Sequence, residues 1–156
     1  MPKFDDASWH YGGDFPAGLP NEAGATHIGM FVAWCQLSGL AGDLHSTECP
    51  EDLTPLRDRQ TTPGAWLLNV CDGKFTEEDV NDEGEAFALS YYGDDSGIYD
   101  GEESYLTDYE KLFAELDDLY AAPDTWLSFD RLKPVIDRRY GEWKNPKRDG
   151  WRSWFR

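Results

Sequence analysis

The segment from Ile28 to Leu37 constrains this chain more than any other, because it is apolar on nearly every side of a helix. Gln36 is its one strongly polar residue. A helix that is hydrophobic all round is stable only when other elements cover it. We therefore predict a central, buried helix that begins after the N-cap Asn21 and ends at the turn Gly39 to Gly42.

Shorter amphipathic segments with local start signals predict the elements around this helix. Thr76 and Thr107 are each followed three residues later by an acid, as in a capping box. The expected surrounding helices cover residues 50–59, 63–70, 76–92 and 107–120. After a short helical turn at 126–132, Pro134 suits the first position of a last helix. Alternating strand patterns are nearly absent, so we expect a mainly α fold.

This fold is expected to be a compact orthogonal array of about six helices, with a small N-terminal β element as a compatible addition. The 156 residues match one domain, 1–156. Residues 1–20, rich in Gly, Pro and aromatic side chains, are expected to form an irregular arm, and residues 144–156 a basic aromatic tail. No apolar run suits a membrane span or a signal peptide, so the expected location is cytoplasmic.

Charge is distributed unevenly along the chain. Residues 1–130 hold 28 acidic and five basic residues, a net −23, whereas residues 131–156 hold nine basic and three acidic residues, a net +6. An acidic body of this kind repels phosphate backbones and anionic lipid, and it attracts basic partners. We therefore expect a basic protein partner and neither direct nucleic-acid binding nor membrane binding.

Acidic and aromatic residues in the predicted 76–92 helix and in the loop that follows are the candidates for partner contact. On the helix, three carboxylates share the predicted outer face. The loop is rich in Asp, Gly and Glu, and it is expected to be exposed. The candidate contact residues are Glu78, Asp82, Glu85, Asp94, Asp95, Tyr99, Asp100, Glu102 and Glu103.

No catalytic or cofactor motif is present, so we expect a protein that is not an enzyme and holds no cofactor. The three cysteines include no CxxC pair and are interpreted as reduced thiols. His27 is expected at the edge of the core and His45 at the surface. One alternative is a metal-assisted hydrolase, whose site would require the fold to bring together acids and histidines near the N-terminus. Those residues are Asp5, Asp6, His10, Asp14 and His27.

Several stretches resemble the hallmark segments of a bacterial domain family of unknown function. They read ASWHYGGDFP from Ala7, ATHIGMFVAW from Ala25 and KFTEEDVNDEGEAFALSYY from Lys74. The later DTWLSFDRLKPVIDRRYGEW from Asp124 is similar too, so the likeness runs over most of the chain. The family implies no activity. In size, acidity and cytosolic character the family is similar to immunity proteins that neutralise bacterial toxins.

These observations favour an acidic cytoplasmic binding protein, an immunity protein or antitoxin that occludes the active site of a basic bacterial toxin. Aromatic residues next to carboxylates suit such an interface. Two alternatives stay open beside it. One is a nucleic-acid mimic or regulatory adaptor that uses the same acidic surface, and the other is the metal-assisted hydrolase.

Overall fold

The computed structural model describes residues 3–10, 18–94, 97–98, 104–116 and 118–145. Six α-helices and four short strands lie in these ranges. In chain order they are β1 (Lys3–Asp6), α1 (Thr26–Leu37), α2 (Leu53–Arg57), α3 (Pro63–Val70), β2 (Lys74–Thr76), α4 (Asp82–Tyr91), β3 (Gly93–Asp94), β4 (Gly97–Ile98), α5 (Tyr105–Leu112) and α6 (Trp126–Lys144). Short 3₁₀ turns cover Ala7–His10, Asn21–Ala25, Pro50–Asp52, Glu77–Asp79 and Leu119–Ala121, and Leu44–Glu48 forms a π turn. The prediction of a mainly α fold with a small N-terminal β element is confirmed.

Helix α1 is the central buried helix that its apolar sequence predicts, but it begins at Thr26 and not after Asn21, because Asn21–Ala25 forms a 3₁₀ turn. Every residue from Thr26 to Gln36 is buried. Aromatic rings from four other segments surround Phe31, whose centroid lies 5.1 Å from those of Tyr92 and Tyr105 and 5.7 Å from that of Phe75. Gly29 lets α3 approach closely, since a Cβ there would lie 2.4 Å from the carbonyl oxygen of Pro63.

Within the predicted N-terminal arm, strand β1 pairs antiparallel with β2, seventy residues further along the chain. Lys3 is opposite Thr76 and Asp6 is opposite Lys74, with an irregularity between Lys3 and Asp5. Phe4 is fully buried, and its ring lies 4.6 Å from that of Phe75. The arm therefore places the Asp5 side chain inside the protein.

The prediction of one helix over residues 76–92 is wrong at its first half. The capping box of Thr76 and Asp79 is present, but it caps only the 3₁₀ turn Glu77–Asp79. Val80 then adopts an extended conformation and forms an isolated bridge with Ala41. The side chain of Asn81 caps a new helix, α4, by accepting a hydrogen bond from Gly84 N at 2.8 Å. Because Asn81 supplies the N-cap, α4 begins at Asp82 and not after Thr76.

Helix α5 is also shifted relative to the prediction. Its N-cap is Ser104, whose hydroxyl accepts from Thr107 N at 3.3 Å, so the helix begins at Tyr105 and not after Thr107. It ends at Leu112, well before the expected Tyr120. The preceding segment, expected to be a loop, contains the antiparallel pair β3 and β4, in which Gly93 is opposite Ile98.

Pro134 does not begin the last helix but lies inside α6, which runs for 19 residues from the N-cap Thr125. One buried stripe, Phe129, Leu132 and Ile136, continues across the proline, while Pro134 itself is on the exposed side. The free energy gained by packing this stripe outweighs the cost of the backbone hydrogen bond that Pro134 cannot donate. Among the described residues, no helix is long and apolar enough to cross a membrane.

A buried ion pair joins three helices. The Arg139 guanidinium of α6 donates two hydrogen bonds to the Asp108 carboxylate of α5, at 2.8 and 3.0 Å. The Tyr91 hydroxyl of α4 donates to the same carboxylate at 2.6 Å. Burial alone would raise the pKa of Asp108, but these donors outweigh burial and lower that pKa below its ordinary value.

Candidate functional site

One side of the molecule carries a group of carboxylates that we call the acidic face. It is built from the turns Leu44–Glu48, Pro50–Asp52 and Glu77–Asp79, which pack against one another, and from the start of α4. Gly42 makes the close approach possible, because a Cβ there would lie 2.6 Å from the carbonyl oxygen of Glu78. The exposed or half-buried residues of the acidic face are Asp43, Glu48, Glu51, Glu77, Glu78 and Asp82.

The six carboxylates of the acidic face have no cation partner among the described residues, although Glu83, next to Asp82 at the start of α4, pairs with Lys144 at 3.5 Å. Residues 41–56 and 75–90 contain no Lys or Arg. Within the described parts of the chain, no carboxylate of the face takes part in an ion pair. Its field acts on Cys49, whose pKa is raised by partial burial and by the neighbouring Asp52, Glu51 and Glu48 carboxylates. The face is therefore a region of uncompensated negative potential.

Three of the predicted contact residues lie on or beside this face, and the others are elsewhere along the chain. Glu78 and Asp82 belong to the face, and half-buried Glu85 follows Asp82 by one helical turn on α4. The backbone of Asp94 lies in β3. The remaining candidates are outside the described residues: Asp95, Tyr99, Asp100, Glu102 and Glu103.

Sequence reasoning missed four of the six residues of the acidic face, including Glu77 directly beside Glu78. Asp43, Glu48 and Glu51 come from a segment more than 25 residues before Glu78, and only the fold brings the two together. One signal could have found them. The run from 41 to 56 contains no Lys or Arg, which is the same property that marks residues 75–90.

A second candidate site is buried beneath the N-terminal segment, and we call it the N-terminal cluster: Asp5, His10 and His27. The Asp5 carboxylate is fully buried. Its Oδ1 lies 2.8 Å from His10 Nε2, and its Oδ2 lies 3.4 Å from His27 Nε2. One donor atom from each residue lies within 4.8 Å of the other two. Strand β1, the following 3₁₀ turn and the first turn of α1 thus each supply one side chain.

Tyrosines surround the N-terminal cluster. The Tyr120 hydroxyl lies 2.7 Å from His10 Nδ1, and the Tyr92 hydroxyl donates to Asp5 Oδ2 at 2.5 Å. His27 differs from its neighbours. Its side chain is 1% exposed, and within the described part of the chain neither ring nitrogen has a hydrogen-bond partner, because the 3.4 Å approach to Asp5 fails the geometry of a hydrogen bond. The buried hydroxyl of Tyr109, whose ring centroid lies 6.2 Å from that of His27, has no partner either.

The charge states of the N-terminal cluster follow from burial and from its neighbours. Burial opposes ionisation of Asp5, but the nearby His10 and His27 rings outweigh it and hold the pKa of that carboxyl well below its usual range. Burial lowers the pKa of His27, so its imidazole is neutral at pH 7. An anionic carboxylate beside a neutral imidazole can hold a cation or take part in proton transfer.

The alternative of a metal-assisted hydrolase required five residues to meet, and the structure brings three of them into contact: Asp5, His10 and His27. Asp6 instead accepts hydrogen bonds from the backbone N–H and the hydroxyl of Ser8, at 2.9 and 2.8 Å, and it shapes the turn after β1. Asp14 lies outside the described residues. His27 is in the core and not merely at its edge.

The prediction that His45 lies at the surface is wrong. Its side chain is 1% exposed, and its Nε2 lies 2.9 Å from Asp79 Oδ1 and 3.8 Å from Cys71 Sγ. We call these three residues the His45 cluster. Burial and the Asp79 carboxylate raise the pKa of the Cys71 thiol far above its ordinary value. A thiol that stays protonated is a poor nucleophile, so the His45 cluster does not form an activated cysteine.

Comparison with known proteins identifies a family for the chain but no activity. A family model described as a domain of unknown function, DUF7832, matches residues 3–122. No curated protein and no solved structure matches the chain significantly. The matched region contains the acidic face, the N-terminal cluster and the His45 cluster, and it stops before α6. Because the match covers more than three quarters of its length, the chain belongs to the DUF7832 family.

Proposed function

We propose that this protein is an acidic binding protein that captures a basic protein partner through the acidic face. The observation that carries the proposal is the set of six carboxylates with no ion-paired cation among the described residues. Uncompensated like charges destabilise a folded state through repulsion. A cationic partner offsets that repulsion, and the same field accelerates encounter with the partner.

The rigidity of the backbone beneath the acidic face supports this role. Gly42 N donates to Asp79 O at 3.3 Å, and Gln36 Nε2 donates to the same carbonyl at 2.6 Å. The Asp79 carboxylate caps its own turn by accepting from Thr76 N at 2.8 Å. Carboxylates held on a preorganised backbone lose less conformational entropy when they bind.

The specific form of the proposal is a cytoplasmic immunity protein or antitoxin that occludes the active site of a toxin. Toxins that act on nucleic acid need cationic clefts to hold phosphates, and an acidic face complements such a cleft. In this role the protein inhibits by contact and performs no reaction.

Co-expression with the product of the adjacent gene tests the proposal. We expect that product to be toxic alone, to be neutralised by this protein, and to be retained by it with an affinity that falls as salt rises. The double variant Glu48→Lys with Glu78→Lys should abolish retention at moderate salt. The control Glu22→Lys with Glu110→Lys makes the same change of net charge at exposed positions outside the face.

Equal loss of retention in both variants would show that overall charge, and not the acidic face, attracts the partner. A neighbouring product that is harmless and not retained at low salt would refute the immunity role. The alternative, a nucleic-acid mimic, predicts that the protein competes with duplex DNA for many unrelated DNA-binding proteins. An immunity protein should instead compete for one.

A further inference from the structure

We propose that the N-terminal cluster binds a divalent transition-metal ion, with Asp5, His10 and His27 as the protein ligands. Two imidazole nitrogens and one carboxylate oxygen form a donor set that suits Zn²⁺ and its first-row neighbours, whereas Mg²⁺ and Ca²⁺ prefer oxygen donors. This site is separate from the acidic face and does not depend on the proposed binding function.

The distances between the donor atoms fit such an ion. Metal–ligand bonds of about 2.0–2.1 Å in a tetrahedral site place neighbouring donors roughly 3.3 Å apart. The His27 Nε2 to Asp5 Oδ2 distance is 3.4 Å, and the His10 Nε2 to Asp5 Oδ1 distance is 2.8 Å. The two histidines thus approach different oxygens of the Asp5 carboxylate, and an ion bound to both rings through one of these oxygens requires His10 to leave its hydrogen bond with Oδ1. Three protein ligands leave a fourth position for water or another ligand.

The unpartnered side chain of His27 points to a ligand independently of these distances. Buried polar groups in folded proteins have partners almost without exception, and each exception requires an explanation. His27 is 1% exposed, and its Nε2 faces Asp5 without forming a hydrogen bond. A metal bound between them gives this nitrogen its partner. It also offsets the charge of a carboxylate that is fully buried.

The outer contacts of His10 and Asp5 match those around protein-bound metals, whereas His27 Nδ1 has no such contact among the described residues. A metal-ligating histidine normally makes a second hydrogen bond through its other ring nitrogen, and this bond fixes the orientation of the ring. The Tyr120 hydroxyl lies 2.7 Å from His10 Nδ1, and Tyr92 holds the Asp5 carboxylate from the opposite side. Tyr120 is thus a positioning residue for the metal ligand His10.

The His45 cluster offers a comparison, since its donors also lie within 4.8 Å of one another. Both oxygens of its carboxylate accept hydrogen bonds, as those of Asp5 also do: Asp79 Oδ1 is bonded by His45, and Asp79 Oδ2 accepts from the backbone of Thr76. The difference is that His45 is hydrogen-bonded to its carboxylate, whereas His27 is not. The unpartnered nitrogen of His45 is Nδ1, on the opposite edge of the ring from Asp79. No unpartnered donor faces into this second cluster.

Calorimetric titration of the metal-free full-length protein with Zn²⁺ tests the proposal. We expect one tight equivalent. Asp5→Asn and His10→Gln should each weaken this binding by more than about 100-fold, since loss of a ligand exceeds the usual effect of an outer contact. Tyr120→Phe should weaken it about tenfold. His45→Gln and the acidic-face variant Glu48→Lys with Glu78→Lys should leave the tight equivalent unchanged.

Co²⁺ loading of the unaltered protein identifies the ligands without any variant, so misfolding cannot obscure the answer. We expect visible d–d bands from bound Co²⁺ and no thiolate-to-cobalt charge-transfer band, because the N-terminal cluster contains no cysteine. A charge-transfer band would place the metal at Cys71 and overturn the proposal. Failure to bind a tight equivalent, or wild-type affinity in folded Asp5→Asn and His10→Gln, would overturn it as well.

Discussion

The contact between α1 and α3 predicts that one added methyl group will destabilise this protein. Gly29 lies in the first turn of α1, where the backbone at the start of α3 passes directly over it. A Cβ at this position would lie 2.4 Å from Pro63 O, 2.7 Å from Pro63 C and 2.8 Å from Gly64 Cα. All three atoms belong to the backbone, so no side chain can rotate to make room. Gly29→Ala therefore has to push the two helices apart.

The magnitude follows from the size of the overlap. Ordinary Cβ contacts begin near 3.4 Å, so the oxygen is about 1 Å too close. Overpacking of a core costs about 1–3 kcal/mol, and a clash with backbone belongs at the upper end. Alanine recovers roughly 0.5–1 kcal/mol through its better helix propensity. We expect a net loss of about 2 kcal/mol, or a fall in Tm of roughly 4–8 °C for a chain of this size.

Gly141→Ala is the matched control. Gly141 is in α6, and nothing lies within 4 Å of the position that its Cβ would take. The same substitution should therefore stabilise the protein by roughly 0.5–1 kcal/mol. Urea unfolding of both variants, followed by circular dichroism, measures the two free energies. A Gly29→Ala variant within about 0.5 kcal/mol of the wild type would refute the close packing of α1 on α3.

Three further measurements examine the buried ion pair and the thiols. Arg139→Met should lower the free energy of unfolding by about 3 kcal/mol, because it leaves the buried Asp108 carboxylate without its cation; a loss below about 1 kcal/mol would contradict the role of the pair. The folded state lowers the pKa of Asp108, so its contribution to stability is present above the unfolded pKa of about 3.9 and is lost as pH falls below that value. Asp108→Asn should flatten this acid dependence of stability. A thiol reagent added to the native protein should modify Cys49 before buried Cys35 and before Cys71, whose thiol stays protonated. Salt should accelerate the reaction of Cys49, because it screens the nearby carboxylates that raise the pKa of this thiol. A rate that does not change with salt would contradict the negative potential of the acidic face.

Local patterns predicted those parts of the fold that depend on neighbouring residues. The apolar segment that predicts α1 and the stretch 63–70 that predicts α3 each lie within the helix that they specify. Pro134 misled the prediction because its local effect opposes a helix, whereas the stripe from Phe129 to Ile136 packs against distant residues. Tertiary packing determined the result there.

The candidate sites were less predictable because their members meet only through the fold. His45 lies in a polar turn, and its partner Asp79 is 34 residues away. Asp5 and His10 lie close in sequence, but His27 joins them through α1 and Tyr120 through a turn near the other end of the chain. The acidic residues were visible from the start, and their assembly into one face required the contact between the turns at 44–52 and 77–79.

The pairing of β1 with β2 has a consequence for synthesis of the chain. Residues 3–6 leave the ribosome well ahead of β2, so β1 has no partner strand until residues 74–76 have been made. His10 meets Tyr120 only 110 residues later. At about 5–20 residues per second, the N-terminal segment waits on the order of ten seconds before it can dock. During that time Asp5 and His10 remain separate side chains in water, and the N-terminal cluster comes into existence among the last features of the molecule.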